Sequence, residues 1–114
     1  MTGGSWEQMI HSARDRDLAK GWFIGPWNSR VSIPIGYANA GIDEKHYHAE
    51  MYEIYLIGQG RSTAIVNDQV VELECGDMLV VEPHEVHTFV NSSDDYWHFV
   101  IHAPFVKGDK HTLA

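Results

Sequence analysis

Two imidazoles two residues apart, His46 and His48, are followed by the carboxylates Glu50 and Glu53 and answered downstream by a lone His87. These are the residues of the chain whose types and spacing suit metal chemistry. In an extended strand, side chains at i and i+2 leave on the same face, so His46 and His48 project together. Glu50 shares their parity. Glu53 has the opposite parity and joins them only if the chain turns or bulges between Ala49 and Tyr52. Two histidines and a carboxylate on one side of a cation leave positions open for a substrate or dioxygen. Imidazole suits Fe, Ni, Zn and Cu, and a carboxylate extends the choice to Mn. The alternative is an exposed polar strand. From the residues alone this is a two- or three-ligand site with the choice of carboxylate open.

Other side chains are candidates for the surroundings of such a site. His98 and His102 share one parity with Val100, while Trp97, Phe99 and Ile101 take the other. The apolar set is the better candidate for packing between layers, which leaves the histidines at a surface or rim. The functional reading puts His98 or His102 in a pocket as a substrate contact or general base, and at least one is expected near the metal. Arg30 is either a surface residue or a ligand for a substrate carboxylate or phosphate. Tyr37 and Tyr55 are pocket candidates, and Tyr55 has the parity of Glu53. The four tryptophans read as core or subunit contacts. Cys75 has no basic neighbour in sequence and reads as a small buried filler rather than a nucleophile. No serine or cysteine triad has local support, and Gly58-Gln59-Gly60 is too short to cradle a phosphate.

The elements that must position these groups are short. Ser5 and Gln8 fit a capping box, with Trp6, Met9, Ile10 and Ala13 on one face, so a short N-terminal helix is expected. From Gly21 the texture is strands and turns. Trp22 to Ile24 ends at Gly25-Pro26, and Arg30 to Ala38 carries Pro34, which implies an edge or a bulge. Glu53 to Ile57 follows. Ser62 to Val66 and Gln69 to Leu73 flank Asn67-Asp68 as a tight hairpin. Met78 to Val81, Val86 to Val90 and Tyr96 to His102 complete the set. Many short strands with frequent turns predict an all-β sandwich or barrel. The expected organisation is a helical extension over 1–20, a barrel over 21–106 and a polar, flexible tail over 107–114.

A chain of 114 residues makes one domain able to bury a core of its own. Its formal net charge of −8, with no Lys/Arg cluster, speaks against nucleic acid and against anionic membranes as partners. One cysteine allows no internal disulfide, the first residues lack the charge and apolar run of a signal peptide, and no apolar stretch is long enough to span a bilayer. A cytoplasmic location is expected.

Gly41, His46, His48, Glu53 and Gly60 resemble the first cupin motif: a glycine, His-x-His, four residues, Glu, six residues, glycine. Gly76-Asp77, Pro83, His87 and Asn91 resemble the second. The first glycine stands one residue closer to the histidine pair than usual, and Glu82 and His84 stand where a proline and a glycine are common. The resemblance covers Arg30 to about Pro104. It implies a single cupin β-barrel or jelly roll, all-β apart from the short N-terminal helix. It selects Glu53 over Glu50 and adds His87, so that His46, His48, Glu53 and His87 hold one divalent ion, Fe, Mn, Ni or Zn. The departures from the pattern place Glu82 or His84 near the mouth of the site, with Glu82 a candidate proton carrier beside His98 and His102, and His84 a candidate substrate contact beside Arg30, Tyr37 and Tyr55. The resemblance implies a homodimer and a small polar substrate or ligand. The leading function is a metal-dependent enzyme of the dioxygenase or isomerase class. The alternatives are a non-catalytic module that binds a sugar or organic acid through the metal, and a metal-free sugar epimerase or isomerase.

Overall fold

The computed structural model describes residues 10–13, 20–39 and 44–113, and ten β-strands account for the regular structure among them. The expected N-terminal helix falls mainly on residues 1–9, outside the described residues. Ile10 to Ala13 are described and are not helical, so the helix has no support. Gly41 of the first motif also lies outside the described residues.

The strands are β1 (Lys20–Ile24), β2 (Ile35–Ala38), β3 (His46–His48), β4 (Tyr52–Gln59), β5 (Arg61–Val66), β6 (Gln69–Glu74), β7 (Met78–Val81), β8 (His87–Ser92), β9 (Trp97–Ala103) and β10 (Lys110–Thr112). They form two antiparallel sheets of five, ordered β1-β2-β9-β4-β7 and β10-β3-β8-β5-β6. The two face each other as a β-sandwich. The expected strand from Arg30 to Ala38 is shorter: residues 30–34 are irregular, and β2 starts only after Pro34, at Ile35.

Alternation decides what each strand buries. In β4, Glu53, Tyr55 and Ile57 face inward, and the register sets Val81 beside Glu53 and Val100 beside Tyr55. A hydrophobic core of Tyr55, Ile57, Ala64, Leu73, Val81, Phe89, Tyr96 and Val100 fills one half of the sandwich. The other half is lined by histidines. On β9 the inward set is His98, Val100 and His102, so the apolar alternates Trp97, Phe99 and Ile101 take the outer face. The sequence preference for burying the apolar set is overridden because this face of β9 lines the cavity that holds the histidine cluster.

Among the described residues, left-handed backbone occurs at Gly60, Asn67-Asp68, Gly76, His84 and Gly108. Asn67 (φ 47°) and Asp68 (φ 68°) make the hairpin between β5 and β6. Gly60 sits at φ 76°, where a Cβ would also lie 2.5 Å from Ser93 Oγ and 2.8 Å from Tyr96 Cα, so both conformation and space demand glycine. His84 adopts φ 70° in the turn between β7 and β8. Cys75 is exposed beside the Gly76 turn and is not a buried filler. The segment expected to be a flexible tail carries β10, which pairs with β3 in the register Lys110↔His48, His111↔Tyr47, Thr112↔His46.

Candidate metal centre

His46 and His48 leave β3 on its inner face, and His87 on β8 is the direct cross-strand partner of His46. Glu53 faces them from β4 in the opposite sheet. All four are buried, His87 to 1% exposure and Glu53 to 4%. One ligand atom from each lies within 4.8 Å of the others. That is close to the span needed by a cation bound at about 2.0–2.2 Å from nitrogen and oxygen donors.

The protons show what such a cluster lacks. His46 Nδ1 donates to the Glu44 carbonyl at 2.7 Å, His48 Nδ1 to the Asp109 carbonyl at 3.0 Å, and His87 Nδ1 to the Glu85 carbonyl at 3.0 Å. A carbonyl oxygen only accepts, so each Nδ1 carries a proton and each neutral ring presents an Nε2 lone pair. Those lone pairs converge on Glu53 Oε1, at 2.6 Å from His87, 2.9 Å from His48 and 3.8 Å from His46. His48 Nε2 makes no hydrogen bond, although Glu53 Oε1 lies 2.9 Å away. Acceptors facing acceptors in a buried site are repulsive unless the rings become imidazolium or a cation sits among them. Carbonyl contacts of this kind are the outer-shell bonds that orient metal-binding histidines. The donor set therefore fits a divalent ion.

Burial raises the Glu53 carboxyl, but the rings of His102, His46, His48 and His87 gathered around it outweigh burial and hold the group well below the usual carboxylate range. Burial likewise lowers His48, yet Glu53 and Asp109 more than reverse this and leave it raised.

The parity conflict between Glu53 and the histidine pair is resolved by a turn at Ala49 to Met51, where the chain crosses from one sheet to the other. Asp109 holds that turn. Its carboxylate accepts the N–H groups of Ala49 (2.9 Å), Glu50 (2.9 Å) and Met51 (3.0 Å). Burial opposes its charge, but these bonds and the His111 ring bring the Asp109 carboxyl down to about 2. Glu50, the carboxylate of matching parity, is exposed on the turn.

A cavity of about 420 Å³ opens over the cluster. Tyr37, Tyr55, His98 and His102 line it, as do Lys20, Trp22 and Lys110. A more open depression of about 530 Å³ over β5 and β6 contains none of the four converging donors, so it is set aside as the chemical site. His102 Nε2 reaches Glu53 Oε2 at 2.7 Å and meets the Trp22 ring edge-on at 5.0 Å between centroids. His98 is buried, with the Tyr96 hydroxyl on its Nδ1. The structure does not bring Arg30, Glu82 or His84 to the cavity. All three are exposed. Glu82 lies past the end of β7, and the His84 ring stacks on Tyr47 outside the sandwich. Asp109, Lys20 and Lys110 were missed in the sequence. Lys20 and Lys110 sit in segments read as an extension and a tail, and only the register of β10 against His48 gives Lys110 its position.

The family described as "Cupin domain" matches residues 35–102, more than half of the chain. No curated protein matches. Among solved structures, a cupin protein from Bacteroides fragilis is similar at 22% identity over 95% of this chain and 92% of its own, with a TM-score of 0.67. A Streptomyces Pac13 structure with uridine is 18% identical over 72% of this chain and 68% of its own, TM-score 0.65. Pac13 is described as a nucleoside dehydratase. A structure from work on DMSP lyases is 20% identical over 83% of this chain and 52% of its own, TM-score 0.66. At these identities the likeness is one of fold.

Proposed function

Because this chain belongs to the cupin family, we propose that it is a metal-dependent enzyme in which His46, His48, Glu53 and His87 hold one divalent ion and a small polar molecule is transformed in the cavity above it. One observation carries the reading: the Nε2 atoms of three rings, each held by an Nδ1 bond to a backbone carbonyl, converge on the buried carboxylate of Glu53. When bound, the ion supplies Lewis acidity, with coordination positions left open toward the cavity. His102 positions Glu53 through Oε2. With Nε2–H engaged there, a neutral His102 ring carries its lone pair on Nδ1, where it can take a proton from a substrate. His98 is a second proton carrier at the cavity wall, and Tyr37 and Tyr55 are substrate contacts. Trp22 shields the mouth.

Within the two classes expected from sequence, this arrangement favours proton transfer, as in an isomerase, over dioxygen chemistry. Two inward histidines beside the ligands support that choice. The fold neighbours described as a dehydratase and as lyases are compatible with it, since both names denote eliminations. We also take the chain to form a homodimer. The outer face of the first sheet supports this, with Leu56 beside Met78 and Ile54 beside Val80 in register and much of that row exposed.

Elemental analysis of protein purified without added metal is the test. About one equivalent of Fe, Mn, Ni or Zn per chain is expected, with affinity falling at least tenfold in His46→Ala and His87→Ala. No bound metal, no uptake from solution and no difference between wild type and His46→Ala would overturn the assignment.

A further inference from the structure

Tyr96 carries a polar group into the apolar half of the sandwich. It is 2% exposed and belongs to the hydrophobic core with Tyr55, Phe89 and Val100. The turn before β9 puts it there. Its N–H donates to the Ser93 carbonyl at 3.1 Å, and Gly60, with no side chain, lets its backbone come close. A phenol buried in this way needs an acceptor for its proton. Burial raises the Tyr96 hydroxyl well above its ordinary range, against a smaller opposing effect of Ser62, so the proton stays on. The Ser62 hydroxyl is engaged with the Asn91 carbonyl at 3.1 Å and the Ser92 hydroxyl at 2.8 Å. The nitrogen in hydrogen-bond contact with the phenol is His98 Nδ1.

His98 stands at the border between core and cavity. It is 3% exposed, meets the Tyr55 ring edge-on at 4.8 Å and the Phe89 ring at 5.1 Å between centroids, and lines the cavity. A ring nitrogen that accepts from a phenol carries no proton, so a neutral ring has its proton on Nε2. His102, four residues on along the inner face of β9, is bonded in the opposite sense. Its Nε2 reaches Glu53 Oε2 at 2.7 Å, which puts the lone pair of a neutral ring on Nδ1.

We propose that Tyr96 is a positioning residue that locks His98 as the Nε2–H tautomer, so that the cavity wall carries a fixed hydrogen-bond donor at His98 beside the acceptor at His102. Whatever group meets His98 Nε2 then meets a donor. The inference rests on the enzyme reading above and narrows the part of His98 in it: the ring lends its proton to an oxygen of the substrate and keeps it. A neutral donor already in place stabilises charge that develops on that oxygen without reorganising. The proton released by the substrate goes to His102.

NMR of the labelled ring nitrogens in the full chain loaded with zinc tests this, because each nitrogen's shift reports whether it carries the proton. His98 is expected as a single tautomer with Nε2 protonated and Nδ1 bare, and His102 as the other tautomer. In Tyr96→Phe the His98 nitrogens should move toward values averaged over both tautomers, while the His102 nitrogens and the zinc content stay as in wild type. A ring-fluorinated tyrosine in place of Tyr96 is close in shape and a stronger donor. It serves where the phenylalanine variant fails to fold, and it should move His98 Nδ1 further in the hydrogen-bonded direction. A packing role alone predicts instead a lower melting temperature with the His98 shifts unmoved. That result, or a wild-type His98 with its proton on Nδ1 or on both nitrogens, would overturn the proposal. Failure of the chain to take up zinc would overturn the metal reading alone, and the same spectra of the metal-free protein then decide on Tyr96.

Discussion

Asp109 is the residue on which the geometry of the centre turns. Its side chain accepts three consecutive N–H groups at the crossing between sheets, and its own carbonyl fixes the His48 tautomer. Replacing it with Asn should cost about 1–3 kcal/mol in urea unfolding at pH 7, since charge-assisted bonds to buried donors are lost. The pH dependence has a definite sign. The folded-state carboxyl lies at about 2, and an unfolded aspartate titrates near ~3.9. The stabilisation is therefore complete above about pH 4 and disappears as pH falls through about 2. The gap between wild type and Asp109→Asn should close over that window. A gap that persists at pH 2 would mean the charge is not its source. His102 makes the second residue-scale prediction. His102→Ala leaves Glu53 Oε2 without its partner and should weaken metal binding about tenfold in chelator competition, with His102→Gln recovering much of the loss.

At the scale of elements, the site depends on two short edge strands. Strand β1 lies close over β2 because Gly36 has no side chain. A Cβ there would stand 2.4 Å from the Gly21 carbonyl oxygen and 2.6 Å from the Trp22 ring. The backbone contact cannot be relieved by a rotamer change. Gly36→Ala should push β1 outward, cost roughly 1–3 kcal/mol, and shift tryptophan emission to the red. Strand β10 contributes the pairing with β3, the Asp109 turn and Lys110. Deleting residues 109–114 should destabilise the protein more than Asp109→Asn alone, because it also uncovers the β3 edge beside His46 and His48. A deletion that melts with the point variant would show that the pairing contributes nothing.

For the whole molecule, the interior is divided between an aromatic and aliphatic core and a histidine-lined cavity, with Tyr55 at the boundary between Phe89 and His98. Among the described residues no helix is long and apolar enough to cross a membrane. The apolar outer row on β4 and β7 is the surface on which pairing is expected. Light scattering should give twice the chain mass, and Leu56→Lys with Met78→Lys should give the single-chain mass with the metal centre intact. A wild-type monomer at high concentration would end the homodimer proposal.

The sequence by itself determined an all-β class and the pairing of His46 with His48, because strand alternation and turn residues are local. The choice of Glu53 over Glu50 and the addition of His87 came from the resemblance to the cupin motifs, and the structure brings all four together. The sequence also flagged His98, His102, Tyr37 and Tyr55, all of which line the cavity. Arg30, Glu82 and His84, candidates for its surroundings, are exposed and outside the cavity lining, because the direction of a turn relative to a pocket is not encoded in its own residues. Burial of His98 and His102 in place of their apolar alternates was decided by what faced them across the sandwich. The positions of Asp109, Lys20 and Lys110 were decided only by tertiary structure. Asp109 is 60 residues from Ala49 in the chain, and nothing local to a polar terminal segment reveals that it pairs with the strand carrying the metal ligands.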